Sequence, residues 1–266
     1  MLRKGIIVCF ILSLVIISSG AKAQHVNHHN VVWGRLALGD TINKRIRWEF
    51  YLQDRHQNTK DGSFNAFKAP QFKSYWLWFT YAFNPSLRLS ISPFGFMKSW
   101  TLISYPNEVD RPEVNEFRWA VRLDQDQKFK RIVYGNRYSV EYRKRDLANN
   151  GEYLPNWRIR YQARIEKPLK FRGLNRPLSL VFSDEVMLQF GYAVRNNPNV
   201  FDQNRLYGGF TYGVAKNVKF SLGYIYQIQQ RSSGKEFDQA NILWGILAFD
   251  NVFSQFKKKP LPVSQP

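Results

Sequence analysis

The sequence has few cysteines, histidines and acidic residues, and beyond its first twenty residues it has no long apolar run. The only cysteine is Cys9, and there are 4 histidines and 20 acids against 39 lysines and arginines. If the N-terminal leader is removed, no cysteine remains, which excludes disulfides, thiol catalysis and cysteine-ligated metal. The rest of the chain contains no apolar segment of the roughly 20 residues that a transmembrane helix needs.

The N-terminus has the pattern of a secretory signal peptide. Arg3 and Lys4 precede an almost wholly apolar run over residues 5–19, and Ala21 and Ala23 fit the small-residue rule for cleavage. We therefore predict residues 1–23 as a signal peptide, with an uncleaved membrane anchor as the alternative. Removing this segment takes three cations and no acid, so the mature chain stays strongly basic.

The remaining chain is polar on average yet rich in aromatic residues. Its mean hydropathy is −0.43, while Phe, Trp and Tyr make up 16% of the sequence. An exported, cysteine-free chain with this composition is typical of an outer-membrane β-barrel, whose membrane signal lies in alternation rather than in apolar runs.

The alternation is clearest in a hairpin over residues 205–229. On its second strand Phe220, Leu222, Tyr224, Tyr226 and Ile228 share one face, and Lys219, Ser221, Gly223, Gln227 and Gln229 share the other. A period of two predicts antiparallel strands with one buried face. In a membrane barrel the apolar face meets lipid and the polar face lines the lumen.

Eleven segments carry this strand pattern, and many exceed the nine residues that cross a bilayer on a tilt. They are 31–38, 45–55, 72–83, 87–97, 114–123, 129–145, 157–167, 178–190, 204–215, 218–230 and 239–249. The connections alternate between short and long, as periplasmic turns and extracellular loops do in outer-membrane barrels.

These features predict an all-β fold, an antiparallel up-and-down transmembrane β-barrel over residues 24–249. Bacterial barrels normally have an even strand number, so we expect about 12 strands, with an additional one near residues 25–32, or else 10. Phe249 ends the last strand with an aromatic residue, like the signal that outer-membrane assembly machinery reads. Residues 250–266 are predicted as a basic, proline-rich periplasmic tail. A soluble exported β-sandwich or lipocalin-like barrel is the alternative.

Charged residues occupy one face of several predicted strands. We expect them to face the lumen, where a structural Arg–Glu network and an anion-selective or substrate-binding lumen are both open interpretations. The candidates are Arg47, Glu49, Glu116, Arg118, Arg122, Arg137, Glu141, Arg143, Arg158, Arg160, Arg164 and Glu185.

The chain resembles the domain-of-unknown-function 2490 family of predicted Gram-negative outer-membrane barrels. The stretches that carry the resemblance are VVWGRLAL, RIRWEFYLQDRHQ, VNEFRWAVRLDQ, NWRIRYQARIEKPL, FSDEVML and the segment from FDQNRLYGGF to YIYQIQQ. The resemblance covers nearly the whole mature chain. It implies a fold and a location in the outer membrane, and no activity.

Catalytic signals are weak. The cluster His25, His28 and His29 could bind a transition metal, but a flexible polar N-terminus explains it as well. Ser74 and Ser90 lie on strands, with no acid assignable beside them and nothing that pairs them with His56. We therefore predict no metal, cofactor or catalytic residue. The expected function is a non-enzymatic barrel that acts as a narrow channel, binding protein or envelope component; an outer-membrane enzyme acting on lipid or lipopolysaccharide is the alternative.

The basic character does not indicate nucleic-acid binding, because the cations are spread at a period of two along many strands and no phosphate-binding glycine loop is present. The expected partners are outer-membrane lipids, the phosphates of lipopolysaccharide, and the outer-membrane assembly machinery. The substrate, the state of the lumen and the oligomeric state stay open.

Overall fold

The structure is a computed structural model that describes residues 25–59, 65–170 and 175–256; the predicted signal peptide lies outside these ranges. The described residues form eleven strands. They are β1 His25–Thr41, β2 Ile46–Gln57, β3 Ala69–Asn84, β4 Leu87–Ser99, β5 Val114–Phe129, β6 Ile132–Asp146, β7 Leu154–Leu169, β8 Leu178–Phe190, β9 Phe201–Ala215, β10 Val218–Gln230 and β11 Glu236–Phe249.

The eleven strands close into a single barrel in chain order. All sequential neighbours pair antiparallel, and β1 and β11 close the barrel as a parallel pair, from His25 beside Glu236 to Leu38 beside Phe249. The predicted up-and-down barrel is therefore confirmed. The expected number of about 12 strands was wrong for the described residues, because the polar segment 25–30 extends β1 rather than forming a separate strand. A two-sheet sandwich is excluded.

The predicted hairpin is β9 and β10, and its two faces separate as expected. Tyr224 is 49% exposed on the outer wall, whereas Gly223, Ile225 and Gln227 are buried. Gly223 lies directly opposite Gly209. A Cβ at Gly223 would come within 2.3 Å of the Tyr207 ring. The two glycines therefore provide the space in which this aromatic ring lies inside the barrel.

The outer wall is apolar and aromatic. Exposed side chains of this wall include Ile91, Trp119, Val140, Ile159 and Leu243, each between 42% and 52% exposed. Their neighbours along each strand point inward and are mostly polar, which is the alternation of a lipid-facing barrel. Among the described residues, no helix is long and apolar enough to cross a membrane.

The two ends of the barrel differ. The connections after β1, β3, β5, β7 and β9 lie at one end and include tight turns, two of which place Lys130 and Asn217 at positive φ. The connections after β2, β4, β6, β8 and β10 lie at the other end, and most are longer. We call these the short-turn end and the long-loop end. Because the strand number is odd, β1 begins at the long-loop end and β11 ends at the short-turn end.

The described part of the predicted tail lies against the short-turn end. The Asp40 carboxylate accepts hydrogen bonds from the backbone N–H groups of Phe253 and Ser254 at 2.6 and 2.7 Å. Asp250 pairs with Lys219 at 2.7 Å and also with Arg47. Burial raises the pKa of Asp250, but the Lys219 hydrogen bond and the Arg47 charge outweigh it and lower the pKa. Residues 257–266 lie outside the described chain.

Candidate functional site

The interior of the barrel holds the charged residues that the strand pattern singles out. Strands position them at every second residue, so that they point inward between outward apolar neighbours. Each takes part in at least one ion pair with another described residue. The twelve are Arg47, Glu49, Glu116, Arg118, Arg122, Arg137, Glu141, Arg143, Arg158, Arg160, Arg164 and Glu185.

Three buried glutamates organise the pairs in the middle and the long-loop half of the lumen. Glu116 accepts from Arg143 at 2.6 Å and contacts Arg118 at 2.5 Å. Glu141, only 1% exposed, contacts Arg118 at 3.0 Å and Arg160 at 2.7 Å. Arg160 also reaches Glu185 at 2.6 Å and so joins β6 to β8. Multiple partners for each carboxylate satisfy charges that would be costly to bury singly.

A second group of pairs fills the short-turn half of the lumen. Asp124 contacts Arg122 at 3.0 Å and Arg137 at 2.6 Å. Asp126 contacts Arg88 at 2.7 Å and Arg164 at 3.3 Å, which ties β4, β5 and β7 together. Long side chains therefore occupy this part of a narrow barrel.

Three further arginines lack a close carboxylate. Arg35 and Arg55 have none within 4.0 Å among the described residues, and the nearest for Arg205 is Glu185 at 3.8 Å. Arg55 instead lies over the Trp33 ring at 3.7 Å, and Arg205 lies over the same ring at 4.9 Å. Cation–π contacts orient a guanidinium while leaving its charge unneutralised. These three side chains form what we call the arginine cluster.

The arginine cluster lines a cavity in the long-loop half of the barrel. The cavity has a volume of about 480 Å³, and its lining includes ten arginines, seven glutamines and only three carboxylates. Loop residues such as Arg111, Asn197 and Ser232 contribute to it at the long-loop end. The cavity therefore offers many N–H donors to a solute small enough to enter, and its lining holds more cations than carboxylates, although Glu141 and Glu185 behind the lining offset part of that charge.

The loop between β4 and β5 folds into the barrel beside this cavity. Leu102 is 4% exposed and packs with Val31, Trp33, Ile225 and Ile242 in an apolar cluster inside the wall. Gln57 holds the loop backbone, because its amide donates to the Thr101 carbonyl at 3.0 Å and accepts from the Ile103 N–H at 3.0 Å.

Arg231, which directly follows β10, fixes the same loop through several further contacts. Its guanidinium donates to the Leu102 carbonyl at 3.3 Å and the Ser104 hydroxyl at 2.7 Å, and it pairs with Glu108 and with Asp238 at 2.9 Å. Burial lowers the pKa of Arg231, but the carboxylates, Asp238 first, outweigh it and raise the pKa. Arg231 therefore stays charged and connects the loop to β11.

A serine, a histidine and an acid meet beside Arg231. The His29 Nε2 lies 3.1 Å from the Asp238 carboxylate and 3.4 Å from the Ser104 hydroxyl, and Ser104 itself donates to Asp238 at 3.2 Å. In a nucleophilic triad the acid and the serine bind different nitrogens of the histidine. Here both approach the same nitrogen, and Arg231 also holds the acid. The arrangement therefore suits a buried structural cluster rather than an activated nucleophile.

The serines considered from the sequence lie elsewhere. Ser90 is buried inside the wall and accepts from Arg122 at 3.2 Å, while Ser74 is a buried residue of the cavity lining. His56 contacts Asp54 at 3.2 Å near the long-loop end and neither serine. Within the described ranges, no group of three or more His, Cys, Asp or Glu residues is arranged to hold a metal ion.

Sequence reasoning missed the arginine cluster and the buried loop. Arg55 and Arg205 continue the polar faces of β2 and β9, so the period of two already indicates that they point inward, but it does not show that they meet at one cavity. Arg35 follows Gly34 and precedes the apolar run over residues 36–38, which hides its inward direction. Nothing in the segment 100–113 indicates that it enters the barrel, since its contacts with Arg231 and Gln57 are distant in sequence.

Comparison with known proteins identifies one family model that matches most of the chain. The profile described as "Protein of unknown function (DUF2490)" matches residues 30–238. No curated protein sequence matches the chain.

Several solved structures align with the barrel at low sequence identity. LpxR from Salmonella typhimurium aligns with a TM-score of 0.49 and 12% identity over 80% of this chain and 86% of LpxR. The siderophore receptor PirA from Pseudomonas aeruginosa aligns with a TM-score of 0.30 and 9% identity, over 72% of this chain and 34% of the receptor. The G324V mutant of the ferric enterobactin receptor PfeA, also from Pseudomonas aeruginosa, aligns with a TM-score of 0.29 and 11% identity, over 71% of this chain and 35% of the receptor.

Proposed function

The chain belongs to the family of proteins of unknown function DUF2490, and from that premise we propose that it is an outer-membrane β-barrel of a Gram-negative bacterium whose lumen binds a small anionic solute. The solute carries phosphate or carboxylate groups. It binds at the long-loop end, and the barrel does not serve as an open channel.

The wall of the barrel supports the membrane location. The outer surface carries exposed apolar and aromatic side chains on every strand pair, while the interior holds the ion pairs, which is the arrangement of outer-membrane barrels. Strands of 12 to 17 residues exceed the length needed to cross the bilayer on a tilt. With the short turns and the C-terminal segment in the periplasm, the long loops and the start of β1 lie outside the cell.

The arginine cluster is the observation that carries the binding function. Arg35, Arg55 and Arg205 all line the cavity. Among the described residues, the only carboxylate within 4.0 Å of any of the three is that of Glu185, which lies 3.8 Å from Arg205. Guanidinium groups bind phosphate and carboxylate oxygens in pairs. Stacking on Trp33 fixes Arg55 and Arg205 before a ligand arrives, and such preorganisation favours binding.

The filled short-turn half argues against free passage. Asp124 and Asp126, with their arginine partners, occupy the lumen beyond the cavity, and the loop that carries Leu102 covers part of its opening. A solute that reaches the arginine cluster from outside therefore meets charged side chains rather than an open path.

Binding to the refolded protein tests this function. Calorimetry with inorganic phosphate and with citrate, at low and high salt, is expected to show saturable binding that weakens as salt rises. The double variant Arg55→Gln, Arg205→Gln removes two charged donors, each worth about 1.5–3 kcal/mol, so its affinity should fall at least tenfold. Arg45→Gln is the control, because Arg45 is an exposed cation at the short-turn end.

Two outcomes would contradict the binding part of the proposal. One is the absence of saturable binding of both probes to protein that is folded, as judged by heat-modifiable mobility on gels. The other is equal affinity of the double variant and the wild type. Stable anion-selective conductance in a planar bilayer would show an open lumen and would contradict the non-conducting part of the proposal.

A further inference from the structure

The outer wall of β3–β6 carries three lysines near the long-loop end. Lys73 on β3 and Lys98 on β4 are direct cross-strand partners, and Lys144 lies two strands further around the barrel on β6. Their sequence neighbours, among them the buried Met97 and Arg143, point inward, so all three lysines point outward. Lys73 and Lys144 are exposed, and the Lys98 side chain is 41% exposed. We call this set the lysine row.

An aromatic residue lies two positions from each lysine on the same outward face. Tyr75, Phe96 and Tyr142 lie on the side of the lysine row that is nearer the middle of the barrel, and Tyr75 is 48% exposed. Aromatic girdles of membrane barrels lie at the level of the lipid headgroups. Two residues of a strand span about 7 Å, so the lysine row lies just beyond that girdle, where the phosphate groups of membrane lipids are found.

The like charges of the lysine row are only partly neutralised by their surroundings. Cross-strand partners with the same charge repel each other, yet Lys73 and Lys98 form such a pair. Glu113 contacts Lys98 at 2.9 Å, and the hydrogen bond from Lys98 lowers the pKa of Glu113, so one acid offsets part of the charge. An anion that contacts all three lysines would relieve the repulsion that remains.

We propose that the lysine row binds the phosphate groups of a lipid in the outer leaflet of the membrane. The assignment rests on the membrane location and orientation given above, and it concerns the outer wall rather than the cavity. Adjacent strands are about 4.8 Å apart, so four neighbouring strands spread the lysines over roughly 15 Å. That spacing fits a headgroup with more than one phosphate, and the aromatic residues next to the row can contact its acyl chains.

Native mass spectrometry of the refolded, detergent-solubilised protein tests the proposal. The probe is a glycolipid that carries two phosphates, compared with the same glycolipid after removal of both. The variant Lys73→Gln, Lys98→Gln, Lys144→Gln should bind the phosphorylated probe at least tenfold more weakly than wild type. A matched control, Lys44→Gln, Lys128→Gln, Lys167→Gln, removes three exposed lysines near the short-turn end and should stay within twofold of wild type.

Three results would overturn the proposal: equal binding by the lysine-row variant, equal binding of the dephosphorylated glycolipid, or complete displacement of the lipid by inorganic phosphate at equal concentration. The last would show a site for free phosphate. Calorimetric phosphate binding to the lumen, measured on the same variants, separates this failure from a failure of the proposed function, because the arginine cluster is intact in all of them.

Discussion

Replacing Glu141 with Gln tests whether the buried ion pairs stabilise the barrel and whether they also weaken the binding of anions in its cavity. Glu141 is 1% exposed, and its carboxylate contacts Arg118 at 3.0 Å, Arg160 at 2.7 Å and Arg158 at 3.9 Å. Gln keeps the shape of the side chain and removes its charge. Removing one partner of a buried pair costs about 3–5 kcal/mol, because the remaining charges lose their compensation.

Urea unfolding in lipid vesicles, followed by tryptophan fluorescence, measures this cost. Glu166→Gln is the control, because Glu166 makes a single pair with Arg164 at 3.1 Å in which both side chains are about one-third exposed. Such pairs contribute about 0–1 kcal/mol. If Glu141→Gln lowers the free energy of unfolding by less than 1 kcal/mol, or by no more than the control does, the argument from burial is wrong.

The same substitution should strengthen anion binding. Arg118, Arg158 and Arg160 all line the cavity. When the Glu141 charge is removed, their positive charges are less neutralised and attract an anionic ligand more strongly. One additional charge-assisted hydrogen bond of about 1.5 kcal/mol corresponds to roughly tenfold tighter phosphate binding. A destabilised variant with unchanged phosphate affinity would show that these arginines serve the fold alone.

The remaining predictions concern the wall and the short-turn end. Leu222→Lys on the outer face should cost about 2–4 kcal/mol near the membrane midplane, whereas Ser221→Lys should cost about 1 kcal/mol for its lost hydrogen bond to Thr211; equal costs in vesicles would refute the assignment of faces. The pKa of Asp250 is lower in the folded protein than in the unfolded chain, where it is near 4. The ion pairs of Asp250 therefore stabilise the C-terminal segment at pH values above the unfolded pKa, and this stabilisation is lost as the pH falls through the folded pKa. Limited proteolysis should therefore release this segment in acid, and Asp250→Asn should be cleaved readily at neutral pH; unchanged protection of that variant would contradict the role of Asp250.

Much of the fold could be predicted because a strand signals its two faces with a period of two. The predicted bounds of 178–190 and 218–230 agree with β8 and β10, and most other strands extend only a few residues further. The inward direction of Glu141 and Arg158 follows from the same alternation, because each lies between apolar neighbours. These properties depend on residues close together in the chain, so local pattern is sufficient to reveal them.

Closure of the barrel decided the rest, because it joins residues that the sequence keeps far apart. The pairing of β1 with β11 set the strand number at eleven over the described chain and placed His29 beside Asp238. Arg231 and Glu108 form a contact although more than a hundred residues separate them in the sequence. Leu102 likewise packs inside the wall against Val31 and Ile242, which are distant in the sequence. Alternation can show that an arginine points inward, but only the closed wall shows which arginines meet a carboxylate and which, like Arg35 and Arg55, face the cavity without one.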